Sequence, residues 1–429
     1  MENLKNILII SYYWPPSGGA GVQRWLKFSK YLPEFGYRPH VYTPENPEAP
    51  VLDESLLNEI HPEIVVVKKP IFEPYSFYKK FTGKKGNVAH GFLSEDKGSR
   101  KKFTEKLSVW IRGNFFIPDA RVFWIKPSVK FLEKYIQENH IQTIITTGPP
   151  HSMHLIGMAL KERMNVRWIA DFRDPWTNID FYKDLMLTKW ADAKHKRLEK
   201  KVLQKADKVI CIGNTMMQEL ELISGRKVEI ITNGYDSSDF PAVVEHEFTD
   251  FSIVHTGSIN ADRNHPMFWK VIEELLSENE NFRNKLKIRF VGKNDYSVQE
   301  NIQKSGLEKY CELISYVPHN EIVAYMMSAY LLYLPLNNVP NSKGVLTGKF
   351  FEYLASGRPI LCIGHPEGDV AAILEKVENA YLVNFGDEIT LKSGILEIFE
   401  KFLNGHKLIS TTSGEYSRKN LTKKLVEIL

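Results

Sequence analysis

The sequence predicts an α/β fold of two Rossmann-like domains facing a cleft, and three observations carry that prediction. Short β-branched runs alternate with longer helical patterns through most of the chain. The alternation pauses in a turn-rich, acidic stretch from Asn233 to Asp250 and then starts again. The 429 residues, at about 150 per domain, suit two large domains or three small ones.

Each element follows from its residues. Ile7-Leu8-Ile9-Ile10 is an unbroken apolar run, the pattern of a parallel strand buried on both faces. A Gly/Pro-rich turn follows, then a helix carrying Val22, Trp25, Leu26 and Leu32. His40-Val41-Tyr42, Ile64 to Val67, Thr143 to Ile145, Trp168 to Ala170, Val209 to Ile212 and Val228 to Ile231 read as the next strands. In the second half Phe251 to Val254, Ile288 to Val291, Leu331 to Leu334 and Pro359 to Leu361 repeat the rhythm, separated by helical patterns. Parallel strands wrapped by crossover helices place ligand sites in the loops at the strands' carboxyl ends.

Composition narrows the class of function. Hydrophobic residues make up 43% and charged residues 25%, which excludes wholesale disorder and collagen-like structure. Lys and Arg number 56 against 52 Asp and Glu, too even for a dedicated nucleic-acid binder. Cys211, Cys311 and Cys362 are scattered and odd in number, so neither a disulfide framework nor a metal cluster is expected, and a reducing cytoplasm is the expected setting. The apolar run near the start is too short for a signal-peptide core. The uncharged stretch from Ile322 to Ser342 is broken by Pro335 and Pro340 before it reaches membrane-spanning length.

One segment departs from the rhythm. Between Lys79 and Lys106 nine basic residues face three acidic ones, an excess of six that is larger than the +4 of the whole chain. Phe77, Tyr78, Phe81, Phe92, Phe103, Leu107 and Trp110 interleave with these charges. Such an insertion, about residues 76–112, either lies on an anionic membrane surface or is a solvated excursion.

Four clusters carry the chemistry. Ser17-Gly18-Gly19-Ala20-Gly21 joins the first strand to a helix, as a phosphate-approaching loop or a plain tight turn. Its glycine spacing does not fit the dinucleotide fingerprint, Arg24 stands at the last position of that pattern, and no acidic residue ends the strand His40 to Thr43, so an NAD site is not indicated. Asp171-Phe172-Arg173-Asp174-Pro175-Trp176 follows a strand and suits either a polar cleft wall or an internal Asp–Arg pair. His151 and His154 lack a third ligand at recognisable spacing, so no metal is expected there. His255 to Asn264 opens the second half with a Gly turn containing Arg263, whose planar fork can grip a diphosphate or pair with Asp262. Thr347-Gly348-Lys349 through Leu361 sets Gly348 and Lys349 at a helix start and Glu352 one turn in, where a carboxylate can accept from vicinal hydroxyls.

The stretch from Gly348-Lys349 through Leu361 resembles the donor-binding signature of family 4 glycosyltransferases of the GT-B fold. Tyr13 to Val22 is similar to the family's opening strand–loop–helix, and Ala170 to Trp176 to a stretch of its bacterial surface-polysaccharide members. Ala206 to Ile210, Thr232 to Asp236 and Gly368 to Ala371 fall in the same order. The resemblance implies a retaining transfer of a sugar from a nucleoside-diphosphate sugar to a hydroxyl of a glycan or lipid-linked acceptor in cell-surface polysaccharide synthesis. It implies no cofactor and no metal, the diphosphate being met by cations and helix starts.

Its residues carry over as follows. Arg263 and Lys349 would meet the diphosphate, with Asp174 as the further catalytic residue. Gly19, Gly257, Ser258, Thr347 and Gly348 would line the donor, Glu352 would bind its ribose, and Tyr316-Val317 would lie near its base. Gly18, Gly21, His151, Asp171 and Arg173 would face sugar or acceptor. Gly344 stands where the family commonly has a first glutamate, and Ser258 where it commonly has Arg. The acceptor-side domain would run through residue 235 and the nucleotide-sugar domain from 250 to 410. Residues 411–429 would form a helix crossing back to the first domain. The expected place is the cytoplasm, peripheral on the inner face of the plasma membrane through Lys79 to Lys106. A GT-B nucleotide-sugar epimerase and a non-catalytic glycan-binding subunit are the alternatives.

Overall fold

The protein was analysed as a computed structural model, which describes residues 4–49, 51–72, 99–240, 248–315, 317–406 and 414–429. The described chain divides into two units. The first holds the residues up to Thr232 together with Arg418–Leu429, and the second those of Asn233–Ser417. The divide thus falls at Thr232, ahead of the acidic stretch, and the residues from Gly414 to Ser417 stay with the second unit.

In the first unit the strands are β1 (Lys5–Ile10), β2 (Tyr37–Pro44), β3 (Val65–Lys69), β4 (Thr143–Gly148), β5 (Arg167–Phe172), β6 (Lys208–Cys211) and β7 (Glu229–Ile230). They form a seven-stranded sheet in the order β3-β2-β1-β4-β5-β6-β7, with every pairing parallel. The crossover helices are α1 (Ala20–Tyr31), α2 (Ser99–Phe115), α3 (Ile125–Glu138), α4 (Ser152–Arg163), α5 (Lys189–Lys205) and α6 (Asn214–Ser224). Ile7 to Ile10 are fully buried between helical layers, as an all-apolar central strand must be. Trp25, Leu26 and Phe28 of α1 pack on the same core. Each such side chain contributes about 1.5–3 kcal/mol of burial free energy.

The second unit repeats the plan with β8 (Phe251–Thr256), β9 (Leu286–Val291), β10 (Cys311–Ile314), β11 (Leu331–Pro335), β12 (Ile360–Ile363) and β13 (Ala380–Val383). Its order is β10-β9-β8-β11-β12-β13, again parallel throughout. The helices are α7 (Pro266–Glu278), α8 (Glu280–Lys285), α9 (Tyr296–Lys304), α10 (His319–Met327), α11 (Gly348–Ser356), α12 (Asp369–Leu374) and α13 (Glu388–Leu403). Phe251, Phe268, Ile272, Phe282 and Phe399 anchor its core. The last helix, α14 (Arg418–Val426), belongs to the first unit, where Leu421 and Leu425 enter the core and the Arg418 guanidinium lies 5.4 Å from the Phe28 ring centre.

Both sheets reverse strand order between a first and a fourth strand, β1 and β4 in one unit and β8 and β11 in the other. Ligands of doubly wound sheets bind outside the carboxyl ends at such a switch point. In each unit the clusters singled out by sequence follow these switch-point strands or the strands beside them.

Candidate active site

In the second unit β8 is followed directly by Gly257, whose φ of 100° lies in a region that L side chains rarely adopt. A Cβ there would also collide with Nζ of Lys349, so the glycine both makes the turn and admits the lysine. Lys349 is the second residue of α11, and its helix is fixed from one turn further on. The buried Tyr353 hydroxyl accepts the Thr256 N–H at 2.8 Å. Strand end, glycine turn and helix start therefore form one rigid piece.

Arg263 closes the short 3-10 turn Ala261–Arg263 after β8. Its guanidinium donates to the Asn337 side-chain oxygen and to the Ser258 carbonyl at 3.2 Å. The Asn338 N–H donates to the Asp262 carbonyl at 3.1 Å, tying the β8 and β11 loops together. Thr347 is the N-cap of α11 but makes no side-chain capping bond, and a Cβ on Gly348 would meet nothing within 4 Å. The helix start thus combines first-turn N–H groups, the positive dipole end and room beside them, the features of an anion site. Burial, reinforced by Arg263, lowers the Lys349 pKa to about 7, with Glu352 acting in the opposite direction. Lys349 Nζ lies 3.4 Å from Nε2 of the buried His255.

Glu352 shares the helix face of Lys349, three residues on. Its Oε1 lies 3.0 Å from His319 Nε2 at the start of α10, and His319 Nδ1 is 4.0 Å from Asp239 Oδ2. Val317 is half-buried just before that helix, Ser258 is exposed, and Tyr316 lies outside the described residues. The second unit therefore brings Gly257, Ser258, Arg263, Thr347, Gly348 and Lys349 to one switch point, with Glu352 one turn along. His255, His319, Tyr353 and Asn337 belong to the same arrangement, and nothing in their sequence surroundings marks them for it.

The first unit treats its expected residues differently. Asp171 is fully buried and saturated with donors: Arg24 Nη2 at 2.9 Å, Trp25 Nε1 at 2.6 Å and Thr147 Oγ1 at 2.9 Å. Arg24 is itself 1% exposed and also donates to the carbonyls of Ile231 and Thr232, both at 2.8 Å. Burial alone would raise the Asp171 pKa, but the Arg24 guanidinium and the hydrogen bonds from Arg24 and Trp25 outweigh it and hold the group ionised. Asp171 therefore serves as the counter-charge that the buried Arg24 guanidinium demands.

Arg173 likewise turns inward. It donates to the Gly21 carbonyl at 2.8 Å and to the Pro149 carbonyl, and a Cβ on Gly21 would lie 2.9 Å from its Nη1. Gly21 thus serves the packing of Arg173. His151 is buried and stacks on Trp176 with ring centres 4.7 Å apart and planes 2° from parallel. Burial first, then His154 and Arg173, lowers its pKa well below the ordinary histidine value and keeps it neutral. Gly18 is buried and its N–H donates to the Val51 carbonyl at 2.8 Å, whereas Gly19 and Asp174 reach solvent. Of the acceptor-side candidates, Asp174 is the exposed carboxylate, whereas Gly18, His151, Asp171 and Arg173 are buried and Gly21 is half-buried.

Comparison with known proteins finds matches in both halves of the chain. The sequence model described as Glycosyltransferase Family 4 matches residues 94–239, and the one described as Glycosyl transferases group 1 matches residues 250–401. No curated protein matches significantly. Among solved structures, a sucrose-phosphate synthase from Thermosynechococcus elongatus superposes with a TM-score of 0.62 at 15% identity, over 99% of this chain and 98% of that one. A glycosyltransferase from Rickettsia africae gives 0.62 at 13% identity, over 99% and 98%. WaaG, a glycosyltransferase involved in lipopolysaccharide biosynthesis, gives 0.56 at 11% identity, over 98% and 99%. With one glycosyltransferase model matching within each half of the chain, the chain belongs to the family 4 glycosyltransferases of the GT-B fold.

Proposed function

We propose that this glycosyltransferase takes its sugar from a nucleoside diphosphate and passes it, with retention at the anomeric carbon, to a hydroxyl of a glycan or lipid-linked acceptor in cell-surface polysaccharide synthesis. The observation that carries the donor reading is the switch-point cluster in which Lys349 lies over Gly257 with Arg263 beside it. Two cations and a helix start can hold a diphosphate and stabilise the charge that develops as it leaves, so no metal is needed for that task. Glu352, oriented by His319, would accept hydrogen bonds from the donor ribose, with Val317 and Tyr316 near the base. Asp174 would orient the acceptor hydroxyl.

The membrane reading draws on a second observation. On α2 Leu107, Ile111 and Phe115 are exposed at 45%, 40% and 69%, and Phe123 and Phe72 are exposed at 51% and 63% with their rings 6.1 Å apart. Exposed apolar side chains of this size, next in sequence to the basic run from Lys79, suit an anionic surface at the cytoplasmic face of a membrane. That run lies outside the described residues as far as Gly98. Among the described residues no helix is long and apolar enough to cross a membrane.

Incubation with labelled nucleotide sugars, with and without glycolipid acceptors, tests the reaction. The reading predicts nucleoside-diphosphate release coupled to acceptor labelling, with the donor's anomeric configuration preserved in the product. Donor conversion without acceptor would point to an epimerase, and acceptor binding without turnover to a glycan-binding subunit. Sedimentation with vesicles of neutral or anionic lipid tests the membrane surface, and equal recovery with both would remove it.

A further inference from the structure

One side chain facing the second unit's cation cluster, His255, makes none of the donor contacts proposed for Lys349, Arg263 and Glu352. His255 is the penultimate residue of β8 and 1% exposed, and its ring is packed between the rings of Phe290 and Tyr333. Its Nδ1 lies 2.9 Å from the Tyr333 carbonyl. A carbonyl can only accept, so Nδ1 carries the proton. A second proton on Nε2 would put a buried charge beside Lys349 and Arg263. Burial and then Lys349 hold the histidine's pKa well below its ordinary value, and Arg263 acts the same way. Nε2 therefore keeps its lone pair, and that lone pair is what Lys349 Nζ meets at 3.4 Å. An ammonium has three donors and no acceptor, so the bond runs from lysine to histidine.

We propose that His255 is the positioning residue of the donor site, a neutral acceptor that fixes the Lys349 ammonium over Gly257 without cancelling its charge. This rests on the donor reading above. A carboxylate at the same place would hold the lysine equally well but neutralise it, defeating a site meant for a diphosphate. An apolar residue would leave charge intact but the four-carbon stem unfixed. The neutral Nδ1–H imidazole meets both requirements, and the Tyr333 carbonyl enforces that tautomer. The other groups facing the pair are the Ser258 backbone, which acts on His255 itself, Arg263, whose guanidinium donates to the Ser258 carbonyl, and Glu352 on the lysine's own helix.

The test compares wild type with His255→Phe, which keeps ring volume without an acceptor, and His255→Gln, whose amide oxygen can accept from Lys349. Binding of UDP, GDP and ADP is measured by calorimetry from pH 6 to 9, with thermal melts as controls. For whichever diphosphate binds, H255F should weaken affinity by about 10–100-fold at pH 6.5, in line with loss of one hydrogen bond to a charged group. It should also move the alkaline decline of affinity to lower pH, because the ammonium has lost its acceptor. H255Q should recover most of both effects. Wild-type affinity and pH profile in a folded H255F overturn the proposal, as does equal weakening in both variants with an unmoved alkaline limb, the mark of packing alone. If wild type binds none of the three diphosphates, nor any other nucleoside diphosphate offered, the donor reading fails and this proposal falls with it.

Discussion

Replacing Asp171 by Asn exchanges one carboxylate oxygen for an NH2 group and should cost the first unit a large part of its stability. The side chain is fully buried and receives Arg24, Trp25 and Thr147, so an amide of the same shape must turn its NH2 toward at least one donor. Arg24, 1% exposed, keeps its bonds to the carbonyls of Ile231 and Thr232 but loses its counter-charge. Breaking a buried pair from one side costs about 3–5 kcal/mol. At about 2–4 °C per kcal/mol for a domain of this size, the first unit's transition should fall by roughly 6–20 °C. Differential scanning calorimetry, with tryptophan fluorescence reporting on Trp25, reads the shift. A change of under about 2 °C would refute the view that this network fixes the first loop. The double variant Arg24→Met with Asp171→Leu, which removes both charges, should recover part of the loss. The sign with pH follows from the depressed carboxyl: its contribution is present above the unfolded value near 3.9 and is lost as pH falls through the lower folded value.

Further outcomes concern the second unit. Lys349→Met and Arg263→Ala should each weaken nucleoside-diphosphate binding by about 10–100-fold, the worth of a charge-assisted hydrogen bond, while leaving the melting temperature near wild type; near-normal affinity in either would remove that residue from the site. Because the unliganded Lys349 titrates at about 7 and the diphosphate favours its ammonium form, affinity should be greatest below pH 7 and decline above it. A K349M titration should lack that decline, and retention of the same profile would assign it to another group. Tyr353→Phe leaves the buried Thr256 N–H without its acceptor and should destabilise the second unit by about 1–3 kcal/mol, read by urea unfolding.

Most of the fold was legible because central parallel strands are apolar on both faces. β1 and β8 announce themselves in Ile7 to Ile10 and Phe251 to Val254. β10 and β13 went unmarked because, unlike the edge strands β3 and β7, they carry no β-branched run. Cys311, Glu312, Leu313 and Ile314 mix polar with apolar and are only partly covered, and Ala380 to Leu382 are half-exposed. That Gly257, Arg263, Lys349 and Glu352 would gather at one switch point was readable from residue type and placement at a strand end or helix start. The inward turn of Asp171 and Arg173 was harder to read, since it depends on Arg24 sitting on the buried face of α1 and on Gly21 leaving room across the sheet. The one signal was a lone arginine beside Trp25 in an apolar helix pattern. His255 gave none, because its role exists only where Tyr333 and Lys349 converge from separate elements.

The most direct test of the central claim is a calorimetric titration of wild type and K349M, near pH 6.5, with a panel of nucleotide sugars and their nucleoside diphosphates. The account predicts that wild type selects one base, binds its diphosphate and its sugar conjugate, and loses both by at least about tenfold in K349M. Equal binding of that ligand by the two proteins, or no binding of any panel member to wild type, would contradict it.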